Sequence, residues 1–185
     1  GMRERVAAGI AEFSGLRAPL GVFGVIGNHD VWNNCYTESV SCLRQAGVRL
    51  LLNSGEWITR GTGRLRLAGV ADLWTMMPHA GSAIGDATGR DAVVLVSHNP
   101  DFAEKMDDDR VGLMLSGHTH GGQVVFPGAG APFVPSRYGQ KYRHGLVQAP
   151  ETLVYVSRGL GTSGLPVRFC SRPEITFITL KSTAG

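Results

Sequence analysis

Short aliphatic runs bounded by turn residues recur along the chain, and each reads as a buried strand because it is too short for a helix and rich in branched residues. The clearest cover residues 21–26, 48–52, 65–70, 92–96 and 111–115. Residues 145–148 and 152–157 read as a strand pair, and residues 175–180 as a last strand. Apolar Val6, Ala7, Ile10 and Phe13 fall three and four positions apart, so residues 2–16 read as a helix that stops near Gly15. Residues 36–46 read as a second helix, with Thr37 as N-cap and Gly47 as stop. A short helix over residues 101–106 follows Pro100. Gly61-Thr62-Gly63 marks a turn between Trp57-Ile58 and Leu65, and the Gly/Pro-rich residues 127–139 a loop over the edge of the sheet. Strands at the start, middle and end with helices placed early predict an α/β fold: a two-layered sheet core with flanking helices.

The chemistry sits where the strands stop. Gly27-Asn28-His29-Asp30 ends the first run, Ser97-His98-Asn99-Pro100 ends the run over 92–96, and Ser116-Gly117-His118-Thr119-His120-Gly121-Gly122-Gln123 ends the run over 111–115. In an open α/β sheet such ends line one edge, where ligands bind. His118 and His120 are two apart and lean the same way in an extended or turning backbone, and the glycines around them allow close approach. One H-x-H alone is as well explained by two solvated loop histidines. Three clusters at three strand ends fit a metal nest better, since neutral imidazole nitrogens with one amide oxygen suit Zn, Mn or Fe.

Other positions carry weaker signals. Asp72 follows the run over 65–70 and either reaches the same edge or caps a turn. Residues 73–79 are apolar without periodicity, which fits a lid or acyl-chain contact as well as core packing, and His79 reads as an ordinary loop histidine. Asp107-Asp108-Asp109 reads as a solvated turn. Phe133, Arg137 and Tyr138 stand in the loop where they would touch substrate, and Arg158 ends the run over 152–157 within reach of a phosphate.

Composition narrows the classes. With 185 residues, 43% of them hydrophobic, and a mean hydropathy of zero, the chain fits one globular domain. A net charge of +3, spread along the chain, gives no basic-aromatic groove for nucleic acid. No run reaches the 18 apolar residues of a membrane span. Cys35, Cys42 and Cys170 are odd in number and fit no metal spacing, which predicts reduced thiols in a cytoplasmic setting. No signal peptide is visible, and Gly1 ahead of Met2 reads as a tag-cleavage scar.

G-N-H-D, S-H-N-P and S-G-H-T-H-G-G-Q, in this order and at strand ends, resemble the later motifs of the calcineurin-like metallophosphoesterases. Val154-Tyr155-Val156-Ser157-Arg158-Gly159-Leu160-Gly161 with Pro173-Glu174-Ile175 resembles a bacterial subgroup of membrane-associated phosphodiesterases that includes enzymes cleaving the diphosphate of lipid precursors such as UDP-diacylglucosamine. The resemblance implies a four-layer α/β/β/α sandwich and a dinuclear site. It implies that Asn28, His98 and His118 hold one metal and His120 reaches the other, and that His29 donates a proton or hydrogen bond at phosphorus with Asp30 orienting it. Gly121, Gly122 and Arg158 would border the substrate. The implied reaction is in-line attack on phosphorus by a metal-bridging hydroxide, with the two ions about 3.5–4 Å apart. The implied substrate is a phosphodiester or diphosphate, a lipid precursor among them, with the enzyme cytoplasmic or peripheral at the inner membrane face.

The family also has a D-x-H and a G-D-x-x-D motif upstream of G-N-H-D, whereas residues 1–27 hold no Asp, His or Cys and only Glu4 and Glu12 as carboxylates. The expectation is therefore an N-terminally truncated sandwich without its first β-α-β piece. One ion keeps three of its four ligands, the other only His120, so at most one is tightly bound and activity is impaired. Uncovered sheet edges would favour a homodimer. The competing readings are a non-catalytic chain holding one metal or none, and a nucleic-acid phosphodiesterase.

Overall fold

The computed structural model describes residues 2–181, and the Gly1 expectation lies outside them. Two parallel strands, β1 (Val22–Gly24) and β2 (Val48–Leu50), form a small sheet. Six more form a larger one in the order β3 (Ser54–Arg60), β4 (Gly63–Gly69), β5 (Ala92–Val96), β6 (Leu113–Ser116), β8 (Leu153–Val156), β7 (Gly145–Gln148). Within it β4, β5, β6 and β8 run parallel, flanked by the antiparallel partners β3 and β7. Their run-like apolar sequences follow from that placement, since parallel strands are covered on both faces.

Helices α1 (Met2–Ala11) and α3 (Tyr36–Gln45) pack against the small sheet, where Ile10, Ala46 and Val48 form a core with Val6, Val22, Cys42 and Leu43. Helix α4 (Ala80–Ile84) packs on β3 and β4, and its Ala83 and Ile84 join Ala68, Leu95, Met114 and Val154 in the main core. Successive residues of β4 point to opposite faces. Ala68 meets α4, while a Cβ on Gly69 would stand 2.3 Å from Leu51 Cβ, just past β2, and 3.0 Å from Val25, just past β1. The layers therefore run helix, small sheet, large sheet, helix, as the resemblance implies.

Three sequence expectations are corrected. The first helix gives way to a 3-10 turn at Glu12–Gly15, ahead of the expected stop. Thr37 is not the N-cap of α3; Cys35 holds that position and no side chain caps it. Residues 175–180 form no strand, and Ile175 and Phe177 are 72% and 94% exposed. Their alternation suits a sheet, but no strand among the described residues lies alongside to complete a ladder. The ties there are Glu174 N–H to the Gly159 carbonyl and the Thr176 hydroxyl to Tyr155.

Gly69→Ala tests the close approach of the sheets. The added methyl overpacks the contact with Leu51 and is expected to lower unfolding free energy by about 1–3 kcal/mol, read as a lower urea midpoint at unchanged slope.

Candidate metal centre

The four parallel strands end side by side, and they deliver Asp72, His98, His118 and Arg158 along one edge of the large sheet. The end of β1 enters the same region. There Gly27 caps the five-residue helix α2 (Asn28–Trp32): its N–H donates to Asp30 Oδ2 at 3.0 Å, and its carbonyl accepts from Asp30 N. A Cβ on Gly27 would lie 2.8–3.0 Å from three atoms of the His98 ring, so only glycine lets that imidazole lie against the α2 turn.

Three donor atoms converge there. His98 Nε2 is 2.8 Å from Asn28 Oδ1, His118 Nδ1 is 3.1 Å from the same oxygen, and the two ring nitrogens are 3.2 Å apart. Ligands of one tetrahedral ion at about 2.0–2.1 Å stand about 3.3 Å from each other, so the spacing fits a shared cation. The donor set fits too. Burial lowers the pKa of His118 to about 3, helped by the neighbouring His98, His120 and His29, and burial likewise lowers His98. Both imidazoles are thus unprotonated at neutral pH, the form in which a ring nitrogen can bind a metal. The Pro135 carbonyl favours charge on His118, yet His118 Nε2 is buried without a partner at hydrogen-bond geometry. Among the described residues no three His, Cys, Asp or Glu side chains form a ligand set. The trio exists because an asparagine completes it.

His120 stands apart from the triangle. Its Nδ1 faces the Gly161 carbonyl at 3.3 Å, which fixes the proton on Nδ1 and leaves Nε2 as the bare nitrogen. Burial lowers its pKa as well. Arg168 locks this arrangement by donating to the carbonyls of His120, Arg158, Gly159, Gly161 and Ser171.

His29 is exposed on α2, with Nε2 3.0 Å from Ser163 Oγ. Asp30 does not orient it. One Asp30 oxygen holds Gly27 N–H and the other accepts from Ser39 Oγ at 2.5 Å, so the carboxylate is spent on the α2 turn and on α3. Orientation comes instead from Gln123, whose amide holds Ser163 N and the Ser163 and Leu165 carbonyls. Aromatic rings run across the site mouth: His29 edges Trp32, Trp32 stacks on Trp74 with centroids 5.7 Å apart, and Trp74 edges His118 at 4.4 Å. With Phe133 and Leu165 they wall a cavity of about 560 Å³ over Asn28, His29, His118 and His120.

The remaining expectations divide. Asp72 is fully buried and caps the turn through Trp74 N, Thr75 N and the Thr75 hydroxyl, yet its charge also favours the protonated form of His98. Trp74 makes the 73–79 stretch part of the cavity wall. Arg137 and Tyr138 line an adjoining cavity with Trp74 and Asp101. Gly121 and Gly122 are buried, and a Cβ on either would meet Ser171 at 2.5 Å or Ala131 at 2.3 Å. Tight packing explains them without a substrate. Arg158 lies outside the main cavity, paired with Glu174 at 3.4 Å. Ser163, Arg168 and Trp32 carry no sequence signal, because the contacts that bring them to the site, Ser163 with Gln123 and His29, Arg168 with the His120 carbonyl and Trp32 with Trp74, are to residues 40 or more positions away.

A neutral buried histidine makes metal-free stability depend on pH. His118 titrates near 6.5 when unfolded and near 3 when folded, so the unfolded chain takes up the proton first. Stability is present above 6.5 and falls as pH drops toward 3. Arg110 holds the Asp108 carboxyl below its ordinary 3.8, so that group enters only at lower pH. Urea unfolding of EDTA-treated protein is expected to lose about 2 kcal/mol through His118 between pH 7 and pH 5, at about 1.4 kcal/mol per unit. His98, His120 and His144, also lowered by burial, add to the loss in the same window, so His118→Gln should reduce it without abolishing it.

Comparison with known proteins bears on this geometry. No family model matches the chain. It is 37% identical over 91% of its length to an uncharacterized metallophosphoesterase, YkuE, of Bacillus subtilis, covering 59% of that protein. It is 34% identical to the phosphodiesterase YaeI of Escherichia coli, over 91% of this chain and 63% of that one. A metallophosphoesterase of Aquifex aeolicus is 31% identical over 90% of this chain and 63% of its own. The chain therefore spans about three fifths of the length of these three relatives. Likeness over nine tenths of its residues to proteins of one kind, with imidazole and amide donors gathered at the strand ends, places the chain in the calcineurin-like metallophosphoesterase family.

Proposed function

We propose that this chain carries part of the active site of a metal-dependent phosphodiesterase or pyrophosphatase. The observation that carries the reading is the convergence of Asn28 Oδ1, His98 Nε2 and His118 Nδ1 within 3.2 Å of one another. These three atoms would hold one divalent ion, Mn, Zn or Fe, and His120 Nε2 would be a ligand of a second. When bound, such ions activate water and neutralise charge on the phosphoryl oxygens.

The chain's own groups do the rest. His29 stands on the open side of the cavity, free of the ligand triangle, with one ring nitrogen held by Ser163. It donates a proton or hydrogen bond to the leaving oxygen, a contribution of about 10²- to 10⁴-fold for general acid catalysis. Trp32, Trp74, Phe133 and Leu165 take an apolar or aromatic group attached to the phosphate and exclude water beside it. Those walls favour a lipid-linked or aromatic diester over a nucleic-acid backbone, which binds through basic grooves. Among the described residues no helix is long and apolar enough to cross a membrane.

The second reading, a chain with little turnover of its own, rests on His120 standing alone as a ligand of the second ion. It predicts about one tightly held ion per chain after gel filtration with Mn or Zn, and hydrolysis of bis-p-nitrophenyl phosphate below the ordinary range of about 1–1000 per second. Two tightly held ions, or turnover within that range, would overturn the one-ion reading. The role of His29 is tested separately. His29→Ala should keep its ion and lose at least tenfold in whatever rate is measured, whereas His118→Ala should lose ion and rate together. An ion-free His29→Ala protein would refute the assignment.

A further inference from the structure

We infer that the chain holds a second binding site, for a tetrahedral phosphate-type oxyanion, in a cleft between Arg143, His144, Arg158 and Arg172. The cleft measures about 230 Å³ and shares no lining residue with the main cavity. The turn at 120–122 separates them: His120 and Gly122 face the main cavity, and Gly121 faces the cleft. A volume below the roughly 300–1000 Å³ of organic-ligand pockets suits a small ion.

Charge in the cleft is out of balance. Three guanidiniums line it, and the carboxylate paired there is Glu174, so three positive charges against one negative leave a surplus of two. Glu174 is also committed elsewhere, accepting from Arg158 N–H at 3.1 Å and from Tyr155 at 3.2 Å. Arg168, close by, spends its donors on backbone carbonyls and adds further positive charge.

His144 makes the imbalance local. Its Nδ1 is 3.5 Å from Arg158 Nη2 and its Nε2 is 3.4 Å from Arg143 Nη2. A neutral imidazole accepts at one nitrogen and carries a hydrogen on the other. Whichever tautomer forms, one guanidinium N–H therefore points at another N–H. Protonating the ring makes both contacts repulsive, in keeping with a pKa lowered first by burial and then by Arg158 and Arg143. An oxyanion in the cleft resolves the conflict, accepting from both guanidiniums and from the imidazole N–H. Guanidinium forks match tetrahedral oxyanions in geometry as well as charge. The inference does not rest on the phosphoesterase reading.

Cys170 is exposed and lines the same cleft, so its alkylation reports occupancy, with buried Cys35 as internal reference. The 185-residue chain, stripped of metal with EDTA, is treated with iodoacetamide at fixed ionic strength, and the Cys170 peptide is followed by mass. Inorganic phosphate is expected to slow alkylation saturably, where sodium chloride does not. Arg143→Gln, Arg158→Gln and Arg172→Gln should each raise the half-protecting concentration at least tenfold. Arg172 is exposed, so its variant keeps the test if the other two fail to fold. Glycerol 3-phosphate in a parallel arm distinguishes a free ion from a phosphate on a larger molecule by which of the two protects at lower concentration. Protection no greater than that of chloride, or protection unchanged in Arg172→Gln and any folded partner variant, would overturn the inference. So would protection abolished by His29→Ala, which would trace the effect to the main cavity.

Discussion

The flat contact between Gly27 and the His98 ring is the constraint on which the site depends. Two sheets meet there: Gly27 follows β1 of the small sheet, and His98 follows β5 of the large one. A side chain at 27 would drive the imidazole away by a good part of an ångström, and Asn28 Oδ1 would no longer share a 3 Å triangle with the ring nitrogens. Asp30 and Ser39 hold the other side of the contact, fixing the α2 turn against α3. The triangle of donor atoms is thus a by-product of how closely the layers approach, and Gly69, with no room for a methyl against Leu51, sets the same approach one strand away.

This explains which parts of the molecule were legible in the sequence. The strand runs were clear because parallel strands covered on both faces must be continuously apolar, and β5 coincides with the expected residues. Asn28, His98 and His118 were legible for a related reason: each follows a strand, and neighbouring parallel strands deliver their C-terminal residues to one edge. What could not be read are contacts that cross elements. Asp30 next to His29 suggests a pair, but a carboxylate three residues into a helix turn finds the backbone N–H of the cap sooner than its neighbour's ring. Residues 175–180 alternate like a strand, yet alternation states only that two faces differ and does not supply a partner strand.

The Gln123 side chain shows how a motif residue can act at a distance. It lies five residues past His118, outside the triangle, and its amide is saturated by the backbone of residues 163 and 165. That brings Ser163 to His29, so the turn after β6 positions a residue of the turn after β1 through a loop that follows β8. The coupling is one of position only. The three Gln123 links are hydrogen bonds of 2.8–3.1 Å between neutral groups, each worth about 0.5–1.5 kcal/mol net, and Ser163 Oγ meets His29 Nε2 at 3.0 Å.

The turn itself is under strain that such links must hold. His118, His120, Gly121, Gly122 and Gln123 all have positive φ, three of them with side chains. Left-handed backbone at a non-glycine residue costs on the order of 1 kcal/mol or more and persists only where the surroundings over-determine it. Here they do. Arg168 grips the His120 carbonyl, Ser171 Oγ donates to the carbonyls of His120 and Gly121, and Thr119 Oγ1 donates to that of Arg143. An unstrained turn would let the side chains at 118 and 120 relax toward solvent. The left-handed one turns His118 into the buried triangle and His120 toward Gly161, giving two imidazoles two residues apart different neighbours.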